Sequence, residues 1–313
     1  MMTTAQNKPL LRVDFTDFWG ELNKADNFFT RLLSKRFRVE ICDRPDLLIY
    51  SDKGHTHKIY TCRKLFWTGE SLRPNFSQCD YALTQFFIDD PRNERLPIYV
   101  VFAQGDPSVL FRDPAEGPRL ARERQKFCAF LARNGNPRRT RRRLDMFRQL
   151  SAYRAVDGGG TVLNNIGGPI PLGTEAKLAF LSAYRFNLCF ENRSFSGYTT
   201  EKLPEAYRAG CVPLYWGNPL VERDFNPRAF LSLHQFSSDA AFVEKVTELD
   251  HNEEARAAML AEPLMPDNRP NEFFRMERYL DFFERVVSDR SVPVSRRTFR
   301  LFGRWQLVPR HRY

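Results

Sequence analysis

The stretch from Phe186 to Pro219, FNLCFENRSFSGYTTEKLPEAYRAGCVPLYWGNP, constrains the fold most. FNLCFE reads as a strand, the polar residues after it as a loop, TEKLPEAYRAG as a helix ending at Gly210, and VPLYWG as a second strand. Proline removes a helical donor and is tolerated in the first turn, so Pro204 asks for a helix that starts near Thr200. Strand, helix and strand in succession argue for a parallel sheet covered by helices. The alternation recurs upstream. LLRVDF, FRVEICD, LLIYSD, KLFWTGE, DYALTQFFI and LPIYVVF read as strands, and ADNFFTRLLSKRF as an amphipathic helix among them. QKFCAFLA opens a second alternating unit, in which RRRLDMFRQLSAY, EAKLAFLSAY, AAFVEKVTEL, EEARAAMLAE and NEFFRMERYLDFFERVV read as helices. Asp106–Pro118 is rich in proline, aspartate and glycine and reads as the junction. The expectation is an α/β chain with domains at 1–117 and 118–287 and a basic, aromatic tail at 288–313.

A chain of 313 residues, 42% hydrophobic and 27% charged, can build two sizeable cores. No window approaches 18 consecutive apolar residues, and the N-terminus lacks the pattern of a secretory signal, so the sequence reads as cytoplasmic. Six scattered cysteines without a CxxC pair read as small buried thiols rather than zinc ligands. No Asp-x-Asp pair occurs, and His55-x-His57 in a polar loop reads as chance, so no metal is expected. The net charge of +10 fits a nucleic acid, an anionic membrane or an anionic substrate. It gathers at Arg133–Arg148 and in the tail from Arg290, where seven arginines stand among Phe299, Leu301, Phe302, Trp305 and Leu307. Such interleaving suits peripheral contact with an anionic membrane surface. RNP1, KH and C₂H₂ patterns are absent, which leaves a nucleic-acid-binding protein as the alternative from another class and no nucleic acid as the expectation.

Glu191, Asn192, Tyr198, Glu201 and Lys202 all fall near the start of one helix, where free N–H groups and the dipole favour an anion. A lysine there suggests a phosphate; a tyrosine and carboxylates suggest that the phosphate carries a ring and hydroxyls. Glu70 ends the apolar strand of FWTGE, which puts a carboxylate at a rigid strand tip, suited to general-base work. Three runs in one order, FWTGESLRPNFSQCDYAL, the arginine helix followed by GGGTVLNNIG, and FENRSFSGYTTEK with AGCVPLYWG, resemble the α1,3-fucosyltransferases of glycosyltransferase family 10. The resemblance covers the chain up to about Val287, with departures at Arg193, Phe195 and Gln104–Gly117.

That resemblance implies a GT-B architecture, two Rossmann-like α/β domains facing across a cleft. It implies transfer of L-fucose from GDP-β-L-fucose, with inversion, to the GlcNAc of an N-acetyllactosamine-type acceptor. An α1,3 linkage and a Lewis x type product on a glycan such as lipopolysaccharide follow, with α1,4 linkage left open. It makes Glu70 the base and Glu201 a second catalytic carboxylate, which bonds a fucose hydroxyl or favours the positive character that develops at the anomeric carbon. It makes Lys202 and Arg143 (or Arg142, one residue away) the diphosphate ligands, and Tyr198 and Asn192 donor contacts. Glu191 either bonds the donor or caps the helix, and Gly159 either admits the nucleotide or serves an ordinary turn. No cofactor is implied. The expected location is cytoplasmic, peripheral on the inner face of the membrane; another GDP-sugar is the nearest alternative.

Overall fold

The computed structural model describes residues 8–133, 135–296, 299–301 and 304–306, without the side chains of 137–139 and of the last two segments. The elements begin with β1 (Leu10–Thr16), α1 (Phe28–Leu33), β2 (Arg38–Ile41), β3 (Leu47–Tyr50), β4 (Arg63–Trp67), β5 (Tyr81–Thr84), β6 (Asn93–Arg95), α2 (Ile98–Phe102) and α3 (Gly117–Glu123). They continue with β7 (Lys126–Phe130), α4 (Pro137–Tyr153), β8 (Val156–Gly158), α5 (Thr174–Leu181), β9 (Tyr184–Leu188), α6 (Lys202–Arg208), β10 (Val212–Tyr215) and β11 (Leu231–Ser232). Last come α7 (Asp239–His251), α8 (Glu253–Ala261), α9 (Met276–Ser288), β12 (Phe299–Leu301) and β13 (Arg304–Gln306).

Two compact units result, one from residues up to Leu96 together with those from Arg275, the other from Pro97–Phe274. The first holds a six-stranded parallel sheet in the order β2-β1-β3-β4-β5-β6. All four residues of β3 are buried, as a strand covered on both faces requires. Helix α9 belongs here because its apolar stripe (Tyr279, Leu280, Phe282, Phe283, Val286) is buried and its polar side pairs Arg278 with Glu94 at 2.6 Å and Asp281 with Arg36 at 2.7 Å. The chain beyond it stays bound: Arg63 grips Asp289 at 2.8 Å, and Val294 N–H donates to Asp80 at 2.7 Å. Residues 289–296 are therefore part of this unit rather than of a separate tail. The apolar side chains expected to touch a membrane, those of Phe299, Leu301, Phe302, Trp305 and Leu307, are not among the described side chains.

The second unit holds five parallel strands ordered β11-β10-β9-β7-β8. Two expectations need correction. LPIYVVF is not a strand: β6 ends at Arg95, Pro97 fixes the turn with φ −61°, and α2 follows. A short apolar run has no period that separates a buried strand from a buried helix. Asp106–Pro118 is not a junction either, since the division falls between Leu96 and Pro97. Asp106 and Asp113 cap two short 3₁₀ turns there, and the buried Arg112 guanidinium donates to the carbonyls of Leu260 and Tyr207. Proline and aspartate mark turns, and turns occur inside domains as readily as between them.

In open parallel sheets ligands collect where neighbouring strands send their connections in opposite directions. That point is the carboxyl end of β1 and β3 in the first unit, and of β7 and β9 in the second.

Candidate functional site

At the β7/β9 switch point, β9 runs on through buried Cys189 and Phe190 to Glu191, which is 1% exposed. One carboxylate oxygen accepts the Thr200 N–H at 2.7 Å, and the other accepts from Lys202 Nζ at 2.9 Å. Lys202 also donates to Thr200 Oγ1 at 2.8 Å and stands 3.5 Å from Glu201. Glu201 holds the N-cap position of α6, which places Pro204 at the third helical residue, within the first turn as the proline requires. Burial pushes the Glu191 carboxyl up against the pull of Lys202. Burial also works against the charge on Lys202, yet Glu191 and Glu201 hold it well above an ordinary lysine. For Glu201 burial acts upward, but the ammonium groups of Lys202 and Lys177 outweigh it. Lys177 is itself bound to Glu205 at 2.5 Å. A cavity of about 70 Å³ lies among Leu131, Lys177, Asn187, Glu201, Lys202 and Glu205.

The loop between β9 and α6 is fixed from below. Buried Asn218 accepts the Gly197 N–H at 2.8 Å and donates to Thr199 Oγ1 at 3.0 Å, and Thr199 in turn donates to Asp224 at 2.7 Å. Tyr198, 2% exposed, is packed into this frame rather than presented on the surface. Asn192 is half-buried on the same loop. Gly217 passes so close to Glu191 that a Cβ there would stand 2.5 Å from its Cγ and 2.7 Å from the Tyr215 hydroxyl. Gly217→Ala is expected to destabilise the protein by about 1–3 kcal/mol, the usual cost of overpacking. Urea unfolding checks it, and an unchanged midpoint would count against this account of the loop.

Neighbouring arginines of α4 part company. Arg142 makes a two-pronged pair with Asp239, with bonds of 2.6 and 2.5 Å, and lies over Trp216. Arg143 is 3% exposed; burial works against its charge while Glu191 and Tyr198 favour it. The structure thus groups Arg143, Glu191, Tyr198, Glu201 and Lys202 within the second unit. Gly159 is buried, its N–H donates to Phe130 O and its carbonyl accepts from Ile170, both at 2.9 Å. A Cβ there would crowd Phe180 and Leu131. Close packing accounts for this glycine.

Glu70 stands in the first unit, three residues past β4 and 39% exposed. Its N–H donates to Thr68 Oγ1 at 3.0 Å, and Thr68 donates to Asp52 at 2.9 Å. Lys53 Nζ lies 3.5 Å from Glu70 and 2.9 Å from Asp52. Partial burial opposes the charge on Lys53, but the two carboxylates hold it above the ordinary lysine value. His57 is buried with Nδ1 2.6 Å from Asp17, a structural pair rather than an idle loop residue. Sequence reasoning missed Asn218, Asp224, Lys53 and Asp17, whose importance lies in partners far along the chain.

Among the described residues, no group of three or more His, Cys, Asp or Glu is arranged to hold a metal, and no helix is long and apolar enough to cross a membrane. The six cysteines are free thiols, five of them buried. A larger hollow, about 820 Å³, opens at the amino ends of β1, β3 and β4, beside Arg12, Asp46 and Thr61. It lies at the opposite edge of the sheet from Glu70.

The chain is 28% identical to the alpha-(1,3)-fucosyltransferase FucT of Helicobacter pylori over 92% of its own length and 68% of that enzyme's. It is 35% identical to alpha-(1,3)-fucosyltransferase 4 of Bos taurus, over 44% of this chain and 34% of that one. Crystal structures of an alpha1,3-fucosyltransferase, alone and with GDP-fucose, superpose with TM-scores of 0.78 and 0.76 at 25% identity, covering 93% of this chain and 94% of theirs. With two parallel-sheet units, the fold is therefore of the GT-B class. Residues 13–102 match the family model of the alpha-(1,3)-fucosyltransferase FucT N-terminal domain and residues 121–259 that of the glycosyltransferase family 10 (fucosyltransferase) C-terminal region, so the chain belongs to family 10 and is a fucosyltransferase.

Proposed function

We propose that this glycosyltransferase moves L-fucose from GDP-β-L-fucose to a hydroxyl of GlcNAc in an N-acetyllactosamine-type acceptor, with inversion to an α1,3 linkage. The observation that carries this reading is Lys202, held charged between Glu191 and Glu201 at the β7/β9 switch point, in the same group as Arg143. An ammonium has three donors. Those on Glu191 and Thr200 are short, and the 3.5 Å contact with Glu201 is the one a phosphate oxygen replaces. Arg143, buried beside Glu191, adds a second fixed cation, whereas Arg142 turns outward to Asp239. Relieved of that contact, Glu201 is left to accept from a fucose hydroxyl. Asn192 completes the donor wall, Tyr198 backs it from within the loop frame, and Glu191 sets the position of Lys202.

Inversion takes one displacement. The acceptor oxygen bonds to the anomeric carbon, its proton passes to the Glu70 carboxylate, and the anomeric C–O bond breaks with its electron pair leaving on GDP. Lys202 and Arg143 stabilise the charge that develops on the departing diphosphate. These fixed cations supply what a divalent ion supplies elsewhere, so the reaction proceeds without metal.

The test is direct. GDP-fucose and GDP-mannose are each offered with type 1 and type 2 disaccharides, with and without EDTA, and products are read by mass and by NMR for linkage and anomeric configuration. The expected product is an α1,3-fucosylated type 2 disaccharide, formed equally well in EDTA. A β-linked product, preference for GDP-mannose, or reversible loss of activity in EDTA would each overturn the corresponding part.

A further inference from the structure

Trp19 is an exception on the surface of the first unit. It is 80% exposed, yet it is not a loose side chain. It follows β1 in a turn where Asp17 takes φ 61° and Gly20 takes φ 64°. Asp17 ties that turn to the segment after β3: its carboxylate accepts the N–H groups of Thr56 and His57, both at 3.0 Å, and pairs with the His57 ring. Its carbonyl accepts the Lys53 N–H at 2.9 Å. Phe18 stacks on Trp67, the last residue of β4, at 5.5 Å and 18°. The turn that carries Trp19 is thus bonded to the loop that carries Lys53 and packed on the strand that leads to Glu70.

Lys53 closes the arrangement. Its ammonium lies 4.9 Å from the centroid of the Trp19 ring and 3.5 Å from the Glu70 carboxylate. A cation over an indole face holds the ring in one orientation. An exposed ring with one face held in this way leaves its other face to solvent. The site lies at the β1/β3 switch point, where an open parallel sheet receives its ligand.

We infer that the free face of Trp19 is the platform on which a pyranose ring of the acceptor lies. A pyranose has an apolar face of C–H groups and a rim of hydroxyls, which matches an amphipathic aromatic surface beside charged groups. One ammonium links the indole to Glu70, so a sugar lying on the indole presents its own hydroxyl, or that of the next residue, to the carboxylate. This assignment rests on the reading of Glu70 as the base and names the substrate class that the site accepts.

Trp19→Ala and Trp19→Phe in the full chain test it, with initial rates taken over a range of N-acetyllactosamine concentrations at saturating GDP-fucose. The acceptor KM is expected to rise about 10-fold in Trp19→Ala and less than about 3-fold in Trp19→Phe, the range for an aromatic contact. GDP-fucose affinity by calorimetry, slow GDP-fucose hydrolysis without acceptor, and the melting temperature should stay at parental values. An unchanged acceptor KM in Trp19→Ala, or an equal loss of donor affinity, would overturn the platform. Failure of the base assignment has its own signature, undiminished turnover in Glu70→Gln, which does not enter the Trp19 comparison.

Discussion

The Glu70→Gln enzyme is expected to bind GDP-fucose as the parent does and to transfer fucose about 10²–10⁴-fold more slowly, the usual contribution of a positioned general base. Glutamine keeps the shape and the hydrogen bonds of the side chain but cannot accept a proton at neutral pH. The carboxylate is 39% exposed, and its ion pair with Lys53, at 3.5 Å, is longer than the 2.9 Å pair between Lys53 and Asp52. Removing the charge leaves Lys53 on Asp52, so stability should change by less than about 0.5 kcal/mol. The loss should therefore appear in kcat, with donor Kd and melting temperature preserved. That separation matters because the groups assigned to the donor, Arg143, Lys202 and Glu201, all belong to the other unit. Single-turnover rates with and without acceptor check it. Transfer within a few-fold of the parent would remove Glu70 from the mechanism and make Asp52, which shares Thr68 and Lys53 with it, the next carboxylate to test.

Much of this site was legible because its constraints are local. Pro204 limits where α6 begins, the apolar runs of β7, β9 and β10 fix the parallel sheet, and the FENRSFSGYTTEK loop carries the charged groups together. What stayed hidden depends on tertiary contact. The run RRTRRRLDMFR gives no sign that Arg142 turns to Asp239, nearly a hundred residues on, while Arg143 turns inward. The glycine triplet looks like a phosphate loop, yet the backbone of Gly159 is committed to Phe130 and Ile170. Trp19 reads as one more aromatic near a strand end, and Lys53 as one more surface lysine, until the fold sets one over the other. Proline and aspartate mark turns and linkers alike, so residues 106–118 read as a junction although Arg112 anchors that segment within the second unit.

Lys202 carries two burdens, and its replacement should expose both. In Lys202→Met the ammonium that pairs with Glu191 is gone, and a carboxylate with 1% exposure keeps the Thr200 N–H and hydroxyl and the attraction of Arg143 but loses its direct ion pair. Breaking such a pair from one side costs about 3–5 kcal/mol because the remaining charge is buried without its partner. Burial already pushes the Glu191 carboxyl up, and losing Lys202 pushes it further, so the variant takes up a proton to escape part of the cost. The sign follows from linkage. A carboxyl whose folded pKa lies above its unfolded one binds more protons when folded, so stability falls as pH rises from the ordinary carboxylate range to the raised value. The variant should be nearly parental in stability under mildly acid conditions and progressively weaker toward neutral pH. Adding Glu191→Gln removes the stranded charge and should restore much of the stability across that range. Donor affinity should not return with it, since the phosphate still lacks its cation, a loss of about 1.5–3 kcal/mol for a charged hydrogen bond or roughly 10–100-fold in Kd. Urea unfolding at several pH values and GDP-fucose calorimetry on the single and double variants decide the matter. A double variant that regains both stability and donor binding would make Lys202 a structural partner of Glu191 and nothing more, and would leave the diphosphate to Arg143.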